Sequence, residues 1–392
     1  MASMTLPQSL FSHERASERT PVRVTHVVFD FNGGGMESLV ADMAARFRGS
    51  PVQVSLITLS GRVGRLGSRT RDRFESFHVI RPLPVASMAL PRGVIRAIRA
   101  TKADVVHVHT GSWYKGARAA RLAGARRVIY TEHGREHDDP SLKQWIDRRA
   151  ARLTDAVVAV SSRLSRYMNA EVGIPSEKIC TIHNGIDTSV FTPGPSRDEL
   201  RASLSIPKDA LVVGSVGRLE SVKGYDTLLD AVTILRKQWM QPFVLVLFGD
   251  GNQREALQAQ AAQLGIADGV RFAGWTSQPV DSYRLLDVFV LPSRSEGQSV
   301  SLMEAMSCGI APVVTEVGAN AEMIGSEFPE NIVTPDRPLD LASAIMNAAL
   351  SRERMKHVGA VMRSRVVESY SLEQMLERYE RLYRGPSPLL QT

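Results

Sequence analysis

Two glutamates with seven residues between them, Glu296 and Glu304 in "SRSEGQSVSLMEAMSCGIAPVV" (293–314), have a type and spacing that could do chemistry. They could form the acid/base pair of a hydrolase, cap a helix, or grip the two ends of one elongated ligand. Glycosidase carboxylates lie about 5 Å apart in retaining enzymes and about 6.5–9.5 Å apart in inverting ones. Eight helical steps span roughly 12 Å, which excludes the hydrolytic pair. "SLME", Ser301 to Glu304, matches a capping box, but a helix starting there soon meets Gly309 and Pro312. A start near Gln298 or Ser299 gives a more ordinary length. Glu304 then lies beyond the first turn, Glu296 lies ahead of the helix, and the N-terminus between them can take phosphate. That arrangement fits a nucleotide sugar lying across the helix start, with one carboxylate on sugar hydroxyls and the other on ribose hydroxyls.

Other side chains support an anionic ligand. Arg218 ends the run "LVVGSVGR", and Lys223 precedes the helical segment "YDTLLDAVTILRKQ". A lysine at a helix N-terminus costs a few tenths of a kcal/mol unless an anion sits there, so the pair suits a diphosphate leaving group. Gly33, Gly34 and Gly35 lie between a strand and the helix "MESLVADMAARF", where backbone N–H groups also suit phosphate. This is neither the spaced-glycine dinucleotide fingerprint nor a P-loop, and a plain tight turn accounts for it equally well. His107 and His109 share one face of "DVVHVHT". Without a third ligand nearby or any Asp-x-Asp, no metal is expected. His109 is expected to reach the ligand cleft, and His107 to be a hydrogen-bonded core residue.

The elements that must position these groups follow a steady rhythm. "VRVTHVVFD", "VQVSLITL", "DVVHVH", "RVIYTEH", "AVVAVS" and "KICTIHNG" alternate with helix-length segments before residue 190. After the linker-like "GIDTSVFTPGPSRDEL" the pattern resumes with "ALVVGSVGR", "FVLVLFGDG", "VRFAGW", "DVFVLPS" and "APVVTEVG". Continuous apolar strands separated by helices mean parallel strands covered on both faces. The fold class is therefore α/β, with two doubly wound Rossmann-like domains. Ligands of such sheets bind beyond the C-terminal strand ends, where all the candidates above sit, so two facing sets of loops make a cleft.

Length and composition agree. A chain of 392 residues, 43% hydrophobic and 23% charged, is long enough for two cores and carries no low-complexity bias. No apolar run approaches the roughly 20 residues that span a bilayer, and the first 20 residues, expected to be flexible, lack a signal-peptide core. The expected location is cytoplasmic. Cys180 and Cys308, the only cysteines, are expected to be buried thiols. Residues 1–195 carry 28 Lys and Arg against 17 Asp and Glu, and the remainder carries 20 against 24. A basic first half suits an anionic membrane surface, a phosphate-bearing acceptor or a nucleic acid, or is simply a solvated Arg-rich surface. Of these partners, nucleic acid is not expected. In "PRGVIRAIRATK" (91–102), basic residues flank Val94, Ile95 and Ile98. This is either an interfacial helix or a core-facing helix with a solvated outer side.

Taken in order, "FNGGGMES", "HNGID", "VGRLESVKG", "FGDG", "VLPS" and the Glu-seven-residues-Glu stretch resemble a retaining glycosyltransferase of family 4 with the GT-B fold. The likeness runs from about residue 22 to 384, and "EHGRE" is similar to the branch that builds bacterial exopolysaccharides. The resemblance implies that Arg218 and Lys223 bind the donor diphosphate, Glu304 the ribose and Glu296 the transferred sugar. Gly34 and Gly35 would lie near the phosphates, with Gly249 of "FGDG" and Gln298, Ser299 and Val300 also donor-binding. His133 would stand beside the reacting carbon. It also implies an N-terminal acceptor-side domain (21–190), a donor-binding domain (191–370) and a C-terminal helix and tail (371–392) returning to the first domain. The donor is expected to be a nucleotide sugar, UDP-linked rather than GDP-linked, and the acceptor a sugar or lipid-linked hydroxyl, with no cofactor. An epimerase on the same architecture and a non-catalytic nucleotide-sugar-binding subunit are the alternatives. Two departures stand out: Gln298, Ser299 and Val300 replace Phe-Gly-Leu, and Val317-Gly318-Ala319-Asn320-Ala321-Glu322 replaces Val-Gly-Gly-x-x-Glu.

Overall fold

The computed structural model describes residues 20–81, 90–135, 139–195, 198–276 and 278–385. All of the expected flexible N-terminus except residue 20, and the tail beyond 385, lie outside them. The first sheet contains β1 (Val22–Val28), β2 (Val52–Thr58), β3 (Phe77–Val79), β4 (Val105–His109), β5 (Arg127–Glu132), β6 (Ala156–Ala159) and β7 (Ile179–Thr181), in the order β3-β2-β1-β4-β5-β6-β7. The second contains β8 (Leu211–Val216), β9 (Phe243–Phe248), β10 (Val270–Gly274), β11 (Val288–Leu291), β12 (Ala311–Thr315) and β13 (Ile332–Val333), in the order β10-β9-β8-β11-β12-β13. Every strand pair is parallel. In both sheets the order reverses direction at the first strand, β1 or β8, and that switch point opens a crevice at the C-terminal strand ends.

Burial explains the unbroken apolar runs. All residues of β6, β11 and β12 are buried because helices cover both faces. β3 and β13, which the strand rhythm does not reveal, are edge strands of three and two residues. The helix Arg352–Ser369 packs Val358, Met362 and Val366 into the second core, beside Met303 and Phe328. The chain then crosses: Ile186 N–H donates to Tyr370 O at 3.0 Å, and Leu372 N–H donates to Ile186 O at 2.8 Å. The last helix, Leu372–Arg384, buries Leu372, Met375, Tyr379, Leu382 and Tyr383 in the first core with Val24, Val54 and Cys180.

The helix Arg92–Ala100 turns Val94, Ile95, Ala97 and Ile98 into the first core and leaves Arg92, Arg96 and Arg99 exposed. It is therefore not an interfacial helix. Its apolar stripe is used in packing, and only its charged side faces outward. Cys180 and Cys308 are buried and unpaired, and burial pushes their thiols up to about 11 and about 12. No described helix is long and apolar enough to cross a membrane.

Candidate functional site

The helix Val300–Ser307 begins where the spacing argument puts it: Ser299 is its N-cap, and Ser299 Oγ accepts from Leu302 N–H at 3.4 Å. Glu304 thus lies beyond the first turn. Its carboxylate accepts from Tyr283 OH at 2.5 Å, and burial pushes it up to about 7 although that hydrogen bond acts the other way. Glu296, at the loop leading from β11 to this helix, accepts at one oxygen, Oε1, from Lys223 Nζ and from Ser293 Oγ, each at 2.7 Å. The anion that Lys223 calls for at its helix start includes this carboxylate. Their side chains are only 19% and 9% exposed, so the pair is partly shielded from water. Arg218 is different: 60% exposed, it donates to Glu220 Oε1 at 2.7 Å. It also pulls against the burial that raises the Glu37 carboxyl across the cleft.

Glycines bring the loops together. A Cβ on Gly297 would lie 1.6 Å from the carbonyl oxygen of His133, so only glycine allows the Glu296 loop of one lobe to touch the His133 loop of the other. At Gly249, φ is +132° and a Cβ would lie 1.8 Å from Gly217 O, which locks the end of β9 against the end of β8. Gly34 caps the helix Gly35–Phe47, and Gly35 lies against Val300, with a Cβ there 3.2 Å from the valine methyl. Glu37 sits in that helix's first turn, and the backbone N–H groups of Glu37 itself and of Gly34 favour its ionised form against burial, so a phosphate at this glycine loop would share it with a carboxylate.

Gln298 is buried and its Oε1 accepts from Asn184 N–H, across the lobes, at 2.6 Å. Gln298 Nε2 and Asn184 Oδ1 remain buried without a partner among the described residues. Ala319, the other departure, is absorbed by the second core and its N–H still donates to Gly297 O at 2.8 Å. The structure therefore gathers His133, Glu296, Lys223, Gln298, Val300 and Gly35 at one junction.

Sequence reasoning did not single out Ser293, Tyr283 or Asn184. It named Glu322 only as the end of a departing segment and gave it no role. Glu322 accepts from Ser162 Oγ at 3.0 Å and Ser162 N–H at 3.2 Å, another bond between lobes. Beside it lies a pocket of ≈ 430 Å³ lined by Ser162, Arg163, Arg166, Gly318, Ala321 and Glu322. It adjoins the Glu296 loop, because a Cβ on Gly318 would lie 2.4 Å from Glu296 O.

His107 is core as expected, bonded to Tyr383 OH at 2.8 Å and Thr131 Oγ1 at 2.7 Å. His109 is buried as well and does not line the cleft. It reaches the site through His133, with Nδ1 2.9 Å from His133 Nε2. Burial pushes His133 down to about 4, so it is neutral at physiological pH. Among the described residues one group of side chains comes close enough to share a metal ion, His26, His107 and His109, with ring nitrogens within 4.8 Å of one another. Both nitrogens of His107 and of His109 are already in hydrogen bonds. Thermal unfolding of the protein should not shift when Zn²⁺ or a chelator is added, and a rise in Tm with Zn²⁺ would show that the trio binds metal.

Residues 33–190 match the family described as Glycosyltransferase Family 4, and residues 196–365 match Glycosyl transferases group 1. The chain is 30% identical to D-inositol 3-phosphate glycosyltransferase 1 of Catenulispora acidiphila over 73% of its own length and 75% of the relative's. It is 27% identical to a GDP-mannose-dependent alpha-(1-6)-phosphatidylinositol monomannoside mannosyltransferase of Mycobacterium tuberculosis, over 93% and 98%. Among solved structures, Anabaena HepE in complex with UDP-glucose superposes with a TM-score of 0.77 at 21% identity, over 92% of this chain and 98% of that one, which shows the shared fold. With two parallel α/β lobes, the ordered motifs and these matches, the chain belongs to glycosyltransferase family 4 and has the GT-B fold.

Proposed function

We propose that the protein transfers a sugar from a nucleotide sugar, UDP-linked rather than GDP-linked, to a hydroxyl of a sugar or lipid-linked acceptor, with retention at the anomeric carbon. The observation that carries this reading is the Lys223–Glu296–Ser293 cluster at a helix start, touched by the His133 loop of the opposite lobe. An ammonium has three N–H donors, and Lys223 spends one of them on Glu296. The others, with Arg218, serve the diphosphate. The bond from the anomeric carbon to the diphosphate oxygen breaks and takes its electron pair to the phosphate. The acceptor oxygen forms the new bond on the same face and passes its proton to a phosphate oxygen. Preorganised charge and positioning then supply the rate. The pocket beside Glu322 is the acceptor's place in this reading, since it opens next to the Glu296 loop.

On the choice of base, the HepE complex holds UDP-glucose whereas the mycobacterial relative depends on GDP-mannose. A thermal-shift screen over UDP- and GDP-sugars tests the reading, because a ligand at a hundred times its Kd stabilises by about 2.7 kcal/mol. Stabilisation by no nucleotide sugar would overturn the function, and stabilisation by GDP-sugars alone would overturn the base. Released nucleoside diphosphate that rises with added acceptor separates transfer from an epimerase or a binding subunit. For the acceptor, the exposed basic side of the first lobe favours one held at an anionic lipid surface. Attraction of about 1 kcal/mol per basic residue should sediment the protein with anionic liposomes at low salt and not at high salt. Equal binding to neutral liposomes would speak against it.

Glu304 supplies a pH test. Its carboxyl sits at about 7 in the folded protein, above its ordinary 4.5, and ribose hydroxyls donate to the ionised form. Binding therefore releases a proton, and affinity for a nucleotide sugar, whose diphosphate does not titrate there, should rise as pH climbs toward about 7 and level off above it. Glu304→Gln should bind more weakly and without that slope. A slope that persists in the variant would place the titrating group elsewhere. The absence of Asp-x-Asp predicts that transfer survives a chelator, and loss restored by Mg²⁺ or Mn²⁺ would overturn the assignment of leaving-group stabilisation to Arg218 and Lys223.

A further inference from the structure

His133 does not stand alone. His26 Nδ1 lies 2.9 Å from His109 Nε2, and His109 Nδ1 lies 2.9 Å from His133 Nε2. The ring centroids are 5.1 and 5.2 Å apart, with the planes inclined by 13° and 26°. Such wide centroid separations with such short nitrogen contacts place each ring along the N–H direction of the next rather than over its face. The result is one file of three imidazoles running from inside the first core to the junction of the lobes. Position along the strands builds it: His26 of β1 is in register with His107 of β4, and His109 ends that same strand two residues on. His107 flanks the file, 4.8 and 4.2 Å from His26 and His109 between centroids, but Tyr383 and Thr131 hold both its nitrogens outside it.

We propose that His26 and His109 are positioning residues for the transfer reaction, which hold His133 in the single tautomer that offers an Nδ1–H to an oxygen of the bound donor. This rests on the reading above that His133 stands beside the reacting carbon. The argument is a proton count. A neutral imidazole carries one ring proton, so the file has three. Each of the two N···N links needs one, which leaves one proton for an end nitrogen, either His26 Nε2 or His133 Nδ1. Neither end has a partner among the described residues. Both end nitrogens are buried, but the whole His26 ring is closed off in the core, whereas His133 is partly exposed at the junction of the lobes, where an oxygen of the donor can meet an N–H. An orphaned N–H in a core is rarer than a bare acceptor. The proton therefore belongs at His133 Nδ1, and the order of donors runs from His26 to His109 to His133.

Burial keeps His26, His107, His109 and His133 all below their ordinary range, so the file carries no charge. A neutral donor suits the chemistry. As the leaving group departs, positive charge builds on the sugar ring, and an imidazolium beside it would oppose that charge. An uncharged N–H can still bind an oxygen of the sugar or phosphate.

The test combines ring-nitrogen NMR with kinetics. In ¹⁵N-histidine-labelled protein, His133 should show a protonated Nδ1 and a bare Nε2. His26→Leu, which changes a residue without a contact to His133, should spoil that single tautomer, and so should His109→Leu. A protonated Nε2 in the wild type, or spectra of His133 unchanged in both variants, overturns the proposal. In kinetics, His109→Leu should lower kcat about tenfold with the donor KM little changed. His109→Asn, whose amide N–H can replace Nδ1–H, should restore most of it. Each variant is first checked for folding by thermal melt, and His26→Leu takes the place of His109→Leu if the latter does not fold. His133→Ala separates the two ideas. If it is slow while the leucine variants keep wild-type rates, the positioning role falls and the site reading stands. If His133→Ala itself keeps the wild-type rate, the reading of His133 fails and the proposal falls with it.

Discussion

Lys223→Ala is expected to slow sugar transfer by about a hundredfold or more, roughly 2.7 kcal/mol in the barrier, the scale set by removing a preorganised donor from a developing oxyanion. The side chain is mostly shielded and hydrogen-bonded to Glu296, so its charge acts in a weaker dielectric than a surface lysine's. Arg218→Ala should cost less, about tenfold, because that guanidinium is well exposed and shared with Glu220. The loss at Lys223 should appear in kcat more than in KM, since the charge it meets grows as the bond breaks. A double variant, Lys223→Ala with Glu296→Gln, should lose less than the product of the single losses, because the two side chains share one hydrogen bond. Wild-type turnover in Lys223→Ala would remove the phosphate role. Strictly multiplicative losses would remove the pairing.

The parts of this site legible in the sequence are those governed by local spacing. The start of the helix Val300–Ser307 and the position of Glu304 beyond its first turn follow from Gly309 and Pro312 limiting the helix downstream. Eleven strands are visible as Val- and Ile-rich runs, because a parallel strand buried on both faces has no polar positions to break the run. β3 and β13 are too short and too one-sided to show the same signal. "PRGVIRAIRATK" leaves two readings open, since an amphipathic pattern records that one side is apolar but not what covers it. The structure answers with the first core. The file of His26, His109 and His133 is hidden for a different reason. Its links join residues 83 and 24 positions apart, and only the β1–β4 register brings the first of these together. Likewise nothing near Asn184 announces that its N–H will meet Gln298. Periodicity reveals elements, whereas contacts between lobes depend on how the elements are placed.

Arg135→Met should cost the first lobe about 3–5 kcal/mol, the usual penalty for removing one member of a buried ionic cluster, and lower its Tm by of the order of 10 °C. Arg135 follows His133 by two residues and is only 4% exposed, facing Glu132, Asp139 and Asp147, which are 2%, 6% and 9% exposed. Its Nε donates to Glu132 Oε2 at 2.8 Å, and Glu132 also accepts from Tyr130 OH at 2.7 Å and Thr110 Oγ1 at 2.8 Å. Thr110 Oγ1 in turn accepts the N–H of His133 at 2.9 Å. The cluster therefore fixes the loop that carries His133. Without the guanidinium three buried carboxylates face one another, with Lys143 left to serve Asp139. The sign with pH follows from Asp147, whose carboxyl burial already holds above its usual value even with Arg135 opposing. In the variant that opposition is gone and the folded value rises further. A carboxyl raised in the folded state loses stability as pH climbs from its unfolded value through its folded one. The gap in Tm between Arg135→Met and wild type should thus be smallest near the ordinary carboxyl value of 3.8 and widen as pH climbs above it, with Arg135→Lys in between. A gap that does not change with pH would mean that lost packing, not unpaired carboxylates, accounts for the cost. A wild-type Tm throughout would mean that the cluster does not hold the His133 loop at all.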